Sequence, residues 1–397
     1  MADIQKRVVF ETPGPGTIVY GTSYYVEPTG GRKRITRATE IQDDLTESTQ
    51  VAYSDDHGKT WSDLQEVPCS EQTPQGMRRW TYLPGWIDPV NGRLLEVGNE
   101  AVLPNDHALD AMKHMFLKYR VSTDGGRSWC VDQRMIQTGD YTPERPMDGV
   151  HIGHNGMMLG DQGSTPIRTQ SGRIIVPGMM FPVGEDGNYC NPFDTHTYSD
   201  IALVYGQWRD DCTIDWQRKV ILHDDKGVST RGLIEPTLAT LPDGRLLMII
   251  RGSNQKRPDL PGRKWKTISA DDGDSWASIE PWTYDDGEAF NSPSSMSLLL
   301  EHSNGEIYWF GNITDQAPQA NGPRYPLVMG RVDKTSLCLV RDSVVAIDNR
   351  QPDEPESMTL SNFHVHEDRQ TGEVIVHMTR TFFDKWMGTA YEYRITV

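Results

Sequence analysis

The stretch Gly232-Leu-Ile-Glu-Pro-Thr-Leu-Ala-Thr-Leu-Pro-Asp-Gly-Arg-Leu-Leu-Met-Ile-Ile-Arg251, followed by Ser269-Ala-Asp-Asp-Gly-Asp-Ser-Trp276, decides how the rest of the chain is read. Pro242-Asp243-Gly244 is a turn signal between two apolar runs, Thr237–Leu241 and Leu246–Ile250, which is the pattern of an antiparallel hairpin. Glu235 lies eight positions before Asp243, and Arg251 eight positions after it. Symmetric pairing about the turn brings a carboxylate and a guanidinium to the same open end on neighbouring strands, either as a salt bridge or as the floor of an active site.

The same unit recurs along the chain. Pro89-Val-Asn-Gly-Arg-Leu-Leu-Glu-Val97, Gln170-Ser-Gly-Arg-Ile-Ile-Val176, Ser303-Asn-Gly-Glu-Ile-Tyr-Trp309 and Gln370-Thr-Gly-Glu-Val-Ile-Val376 are hairpins of one type. Gly14-Pro-Gly-Thr-Ile-Val-Tyr20 reads as a sixth copy at the front. The five turn glycines, Gly92, Gly172, Gly244, Gly305 and Gly372, are 80, 72, 61 and 67 residues apart. Further β-rich runs follow each hairpin, and four strands per 60 to 80 residues is the pattern of a propeller blade. The expectation is an all-β, six-bladed β-propeller of four-stranded antiparallel blades, with residues 1–397 as one domain. The last blade lacks a fourth strand unless Arg7-Val-Val-Phe-Glu11 pairs beside Ala390–Val397 and removes two exposed edges.

A second repeat sits inside the first. Ser54-Asp-Asp-His-Gly-Lys-Thr-Trp61, Ser122-Thr-Asp-Gly-Gly-Arg-Ser-Trp129 and Ser269-Ala-Asp-Asp-Gly-Asp-Ser-Trp276 share Ser-x-Asp-x-Gly-x-Ser/Thr-Trp. The side chains read as structural: Asp and Ser/Thr cap backbone donors, Gly takes a positive dihedral and Trp packs between sheets. The motif is the Asp-box, and with the hairpin repeat the chain resembles the sialidase superfamily of six-bladed propellers over nearly its whole length. The resemblance implies a fold more than a reaction.

Strand parity places the chemistry on the face opposite the hairpin turns and the Asp-boxes. Starts of first strands supply Arg78-Arg79-Trp80, Asp161-Gln162, Glu235 and Asn362; ends of second strands supply Asn99-Glu100, Arg251, Asn312 and Arg380. Arg324-Tyr325 opens a third strand, and His151-Ile-Gly-His154 enters the third blade. Two insertions, Asn99–Met115 and Pro182–Ser199, decorate the same face as lids or subunit contacts. The first has room for a short helix, on which His107 and His114 share a face as a metal pair or as packed or solvated side chains.

Similarity to sialidases implies roles residue by residue. Glu235 and Arg251 match the Glu that precedes a hairpin and the Arg that ends it; Arg324-Tyr-Pro-Leu327 is similar to the strand carrying a carboxylate-binding arginine. Asp44, just before the first Asp-box, stands where the acid/base Asp belongs. The amino-terminal Arg-Ile-Pro signature is absent, leaving Arg32, Arg34 or Arg37, and Leu360-Ser361-Asn-Phe replaces the usual Tyr-Ser of the nucleophile. Arg251 and Arg324, with Arg79 or Arg380, suit an acidic sugar, because guanidinium forks bind carboxylates in a bidentate way. Hydrolysis of a glycan bearing such a sugar is the leading expectation. The alternatives are a uronate lyase using His154, Tyr325 and Arg251, and a carbohydrate-binding propeller without catalysis.

Composition narrows the partners. The formal charge of −17 argues against nucleic acid and anionic membranes. Cys69, Cys130, Cys190, Cys212 and Cys338 are odd in number and scattered, giving neither a disulfide framework nor a zinc motif. No dinucleotide, Walker or zinc-protease motif is present, so no cofactor is expected. No leader pattern opens the chain, which predicts a cytoplasmic protein, or a secreted one if a leader has been trimmed.

Overall fold

In the computed structural model of the protein, residues 3–41 and 43–397 are described. The architecture is all-β and propeller-like, with strands joined mostly to their chain neighbours in antiparallel pairs. Among the described residues no helix is long and apolar enough to cross a membrane. The defining hairpin pairs Ile234–Thr240 with Leu246–Arg251 and continues to Lys264–Ser269 and Glu280–Pro281. Gly244 sits at the turn with φ +87, a conformation that costs a residue with a Cβ. Leu246–Arg251 is buried along its whole length, which is why it reads as a continuous apolar run rather than an alternation.

The described strands form five hydrogen-bonded sheets, where the repeat count predicts six. The difference lies at one junction. Thr17–Tyr25, Lys33–Glu40, Thr46–Ser54 and Gln65–Val67 form one antiparallel set; Met358–Glu367, Val374–Phe382 and Met387–Ile395 form another. Parallel pairing of Thr17 with Met387 and Ile18 with Gly388 fuses the two into one sheet of seven strands, and Ile4–Phe10 adds an eighth. Ile4–Phe10 lies antiparallel on Met387–Ile395, with Ile4 opposite Ile395. The front copy of the hairpin is also displaced: Gly14–Gly16 link two strands that do not pair, and the first hairpin turn falls between Tyr25 and Lys33.

Four of the interfaces between successive strand sets are apolar. Leu95, Val97 and Tyr119 pack on Val176, Val204 and Trp216; farther round, Ala239, Leu247 and Ile249 pack on Trp309 and Val328. Trp309 is fully buried and meets Trp282 edge to face, with ring centroids 5.2 Å apart. The first strand set is bedded differently on both its sides, as described below.

The three Asp-boxes share one hydrogen-bond circuit. In the first, Ser54 Oγ donates to Asp56 (2.8 Å) and accepts from the Gly58 N–H (2.8 Å), while Asp56 accepts from the Thr60 N–H (2.9 Å). Asp124 and Asp271 repeat it with Ser122 and Ser128, and with Ser269 and Ser275. These carboxylates are tied to turn donors, which holds them below the usual carboxylate range.

Candidate active site

A cavity of about 770 Å³ opens where all the strand sets converge, lined by Glu40, Arg79, Asp161, Glu235, Arg324 and Asn362 among others. That volume is within the range of small-molecule sites. Glu235 reaches it by an irregularity of the backbone. Ile234 pairs with Arg251 and Thr237 with Ile249, so Glu235 occupies a bulge, with φ 47. A positive φ at a non-glycine residue is backbone strain of the kind that gathers at functional sites. Asn362 occupies the matching bulge of the last strand set, with φ 61, and lines the same cavity.

The bulge aims one Glu235 carboxylate oxygen at the Arg251 guanidinium and leaves Oε2 without a hydrogen-bond partner. Arg251 also donates to Ser294 Oγ (3.0 Å) and Asn321 Oδ1 (3.3 Å); Arg324 donates to the main-chain oxygens of those residues, at 3.1 Å each. Arg231 donates to Thr197. Besides Arg79, three guanidiniums thus line one cavity. Of these three, among the described residues, only Arg251 has a carboxylate within salt-bridge distance, and Arg231 and Arg324 have none. Burial, reinforced by the nearby Arg251, pulls Arg231 down to about 9 and Arg324 to about 10, values at which both remain cationic at neutral pH.

The carboxyl groups divide in two. Burial would raise Glu235, but the guanidiniums of Arg251, Arg231 and Arg324 together outweigh it and the net shift is downward, so Glu235 is ionised. Asp161 is pushed up to about 7 by burial and then by the charge of Glu235. Gly160 brings these two together: a Cβ there would stand 2.5 Å from Glu235 Cγ and 3.1 Å from its Cα, so glycine is required for the approach. Glu40 is raised to about 8 by burial and then by Asp44, and accepts a hydrogen bond from the Tyr20 hydroxyl (3.2 Å). A carboxylate beside a protonated carboxylic acid is the equipment of glycoside chemistry.

The residues expected from sequence separate here. Glu235, Arg251, Arg324, Asp44 and Arg79 line the cavity. Arg79 is engaged by Asp106 (2.6 Å) and Glu47 (3.3 Å), so it serves as a strut beneath the first insertion. His154, Tyr325 and Arg380 do not line it. His154 is exposed on a turn beside Asn188; Tyr325 packs on the apolar core between the fifth strand set and the last; Arg380 is buried against Asp348 and Glu354. With His154 and Tyr325 off the cavity, the lyase alternative loses its acid and base. The first insertion does form a short helix, Ala111–His114, whose Ala111 and Met112 supply an apolar wall. His107 caps the turn before it by accepting from the Leu109 N–H (3.1 Å), and no metal-holding group occurs among the described residues.

The chain is similar to known proteins in its family and in its fold. The BNR repeat-like domain family matches the chain over residues 42–345. No curated protein matches it. Among solved structures, the NanB sialidase from Streptococcus pneumoniae superposes with a TM-score of 0.61 at 12% identity, over 98% of this chain and 70% of that one. The intramolecular trans-sialidase from Ruminococcus gnavus gives 0.57 at 14%, over 98% and 97%. The GH93 alpha-L-arabinofuranosidase of Fusarium graminearum gives 0.56 at 12%, over 98% and 97%. The shared fold therefore spans proteins named for an acidic sugar and for a neutral one, and the choice of sugar must be argued from the side chains.

Proposed function

The chain belongs to the BNR repeat-like domain family, and from that premise we propose that it is a glycoside hydrolase, of six-bladed propeller form, acting on a glycan that carries a carboxylated sugar. The observation that carries the reading is the pair of cavity-lining guanidiniums, Arg231 and Arg324, that lack a carboxylate partner among the described residues. Desolvated cations that face a cavity are costly unless a ligand supplies the anion. The planar forks of Arg231 and Arg324 grip the sugar carboxylate, and Arg251 stays with Glu235 and steadies it. Asp161, protonated near neutral pH, gives its proton to the leaving oxygen. Glu235, ionised and lining the cavity, stabilises positive charge developing on the sugar and serves as base or nucleophile.

A panel of aryl sialosides and aryl uronosides tests this, first on the wild type and then on two variants. Arg324→Lys keeps the charge and loses the fork, so kcat/KM should fall by roughly 30-fold to 1000-fold with the fold retained. Asp161→Asn should cost about 100-fold to 10,000-fold in kcat. Because the acid must hold its proton, wild-type activity should decline as pH rises through about 7. A folded Asp161→Asn protein with wild-type kcat would sink the assignment.

A further inference from the structure

The fourth strand set carries a lysine that the chemistry proposed above does not use. Lys264 opens the strand Lys264–Ser269 and pairs across the sheet with Arg251. It is fully buried, at 0% exposure, and does not line the cavity. Lysine is almost never buried to this depth unless a partner compensates it. Among the described residues no carboxylate stands within salt-bridge distance of its amine, and Arg251 holds the nearby Glu235.

Two carbonyls compensate it instead. The Lys264 amine donates to Pro293 O (3.2 Å) and to Ser295 O, one on either side of Ser294. Ser294 is where two of the cavity guanidiniums meet: its Oγ accepts from Arg251 Nε (3.0 Å) and its carbonyl from Arg324 (3.1 Å). Its N–H donates to Ala320 O (2.8 Å), next to the Asn321 carbonyl that takes the other Arg324 hydrogen bond. The segment 293–295 is thus pinned by its outer carbonyls and works through its middle residue.

Residues 292–297 belong to no strand, so side chains rather than a ladder set the course of this segment. Burial, and then the charge of Arg251, press Lys264 well below the ordinary lysine range, with Glu235 opposing. Protonated or neutral, the amine has N–H groups enough for two carbonyls, so the attachment does not depend on its charge. Moving the segment away would strip one buried donor and two buried acceptors of their partners at once, which is costly.

We infer that Lys264 is a positioning residue for the carboxylate grip: by pinning the carbonyls of Pro293 and Ser295 it fixes Ser294, and through Ser294 the placing of the Arg324 guanidinium. This rests on the preceding reading, in which Arg324 binds a sugar carboxylate. Arg251 keeps Glu235 and Asn321 as further partners, whereas Arg324 is held by two main-chain carbonyls, one of them that of Ser294. Loss of the lysine therefore falls on Arg324. A contact kept from substrate to transition state contributes equally to both, so weakening it raises KM and spares kcat.

Lys264→Met keeps the apolar stem and removes the donors. The measurements are calorimetric titration with N-acetylneuraminic acid and with glucuronic acid, and steady-state kinetics on whichever aryl sialoside or uronoside the wild type cleaves. The acid that the wild type binds should bind the folded variant about tenfold more weakly, the worth of one or two net hydrogen bonds. KM should rise by a similar factor, with kcat within about threefold of wild type. If no glycoside is cleaved, the Kd comparison alone decides. A lysine that is only scaffolding would lower the melting temperature and leave Kd and KM of the folded protein unchanged; that result, or a fall in kcat at constant KM, overturns the inference and leaves the arginine site standing. Should Lys264→Met not fold, Lys264→Gln takes its place under the same criteria, and failure of both to fold marks the lysine as scaffolding. If the wild type binds neither acid, the arginine reading falls and the positioning role falls with it.

Discussion

The interface between the fourth and fifth strand sets and the two that flank the first set hold the ring together in different ways. The former is a dry stack in which Trp282, Phe290 and Trp309 fill the gap. On one side of the first set, Glu96 is gripped by two arginines and a tyrosine beside an open chamber. On the other side, His364, His366 and His377 of the last set are stacked with ring centroids 5.8 Å apart. They face Lys33, which bonds His366 at 2.8 Å, and Ser23, which bonds His377 at 2.8 Å. Apolar packing tolerates changes of shape in proportion to area, but polar packing depends on partners, so the loss of one group exposes the others. The first strand set is the part of the ring whose seating is specified by hydrogen bonds and charge.

The largest effects should come from the buried centres of the two kinds of interface. Trp309→Ala should cost about 3–5 kcal/mol, and Glu96→Ala a similar amount, because Arg34 and Arg120 would be left uncompensated. Conservative changes separate them. Trp309→Phe keeps most of the apolar volume and should recover much of the loss in urea titrations, whereas Glu96→Gln keeps the shape, removes the charge and should recover little. Equal recovery by both would erase the distinction.

A smaller effect sharpens the histidine side. Burial, aided by His377 and Lys33, holds His364 at about 3, and both its ring nitrogens lack partners. Its folded value is below the unfolded one of about 6.5, so it favours folding above that pH and loses the contribution as pH falls. His364→Leu should therefore gain on the wild type by about 2 kcal/mol between pH 6.5 and pH 5, at up to about 1.4 kcal/mol per pH unit. Parallel stability curves for the two proteins would refute this. Smaller still is deletion of residues 1–11. Ile4–Phe10 is mostly exposed but holds Asp348 through Lys6 (2.8 Å) and Glu392 through Arg7 (2.9 Å), so the melting temperature should drop by several degrees. An unchanged melting temperature would show that the strand is ornamental.

Much of this was legible in the sequence because turns and periodicities are local. Hairpins centred on Gly92, Gly172, Gly244, Gly305 and Gly372, the three Asp-boxes and the meeting of Glu235 with Arg251 all follow from short-range pattern. Tyr20 and Glu40 were missed for one traceable reason. Placing the first hairpin at Gly14–Gly16 put the end of a second strand in the wrong position, but with the turn after Tyr25 the same parity rule leads to Glu40. Arg231 needed more than pattern, since a parallel bridge between Ser199 and Gly232 sets its approach. Arg380 failed through the two-residue period of a strand: it sits near the right end, but its side chain faces Asp348 and Glu354. The fusion of the first and last strand sets rests on two residue pairs separated by almost the whole chain, which no local signal encodes.

The strand Ile4–Phe10 also governs how the molecule can be tethered. Ile4 lies opposite Ile395, and the Thr396 N–H donates to the Asp3 carbonyl (3.2 Å), so both ends of the described chain leave the ring at one point. A partner fused before Asp3 and one fused after Thr396 would compete for the same volume. Joining those ends by a short linker and reopening the backbone at the Gly305 turn, whose added Cβ would meet nothing within 4 Å, gives a rearranged chain with the same neighbours. For this ring, the place where the polypeptide starts is a choice available to the engineer.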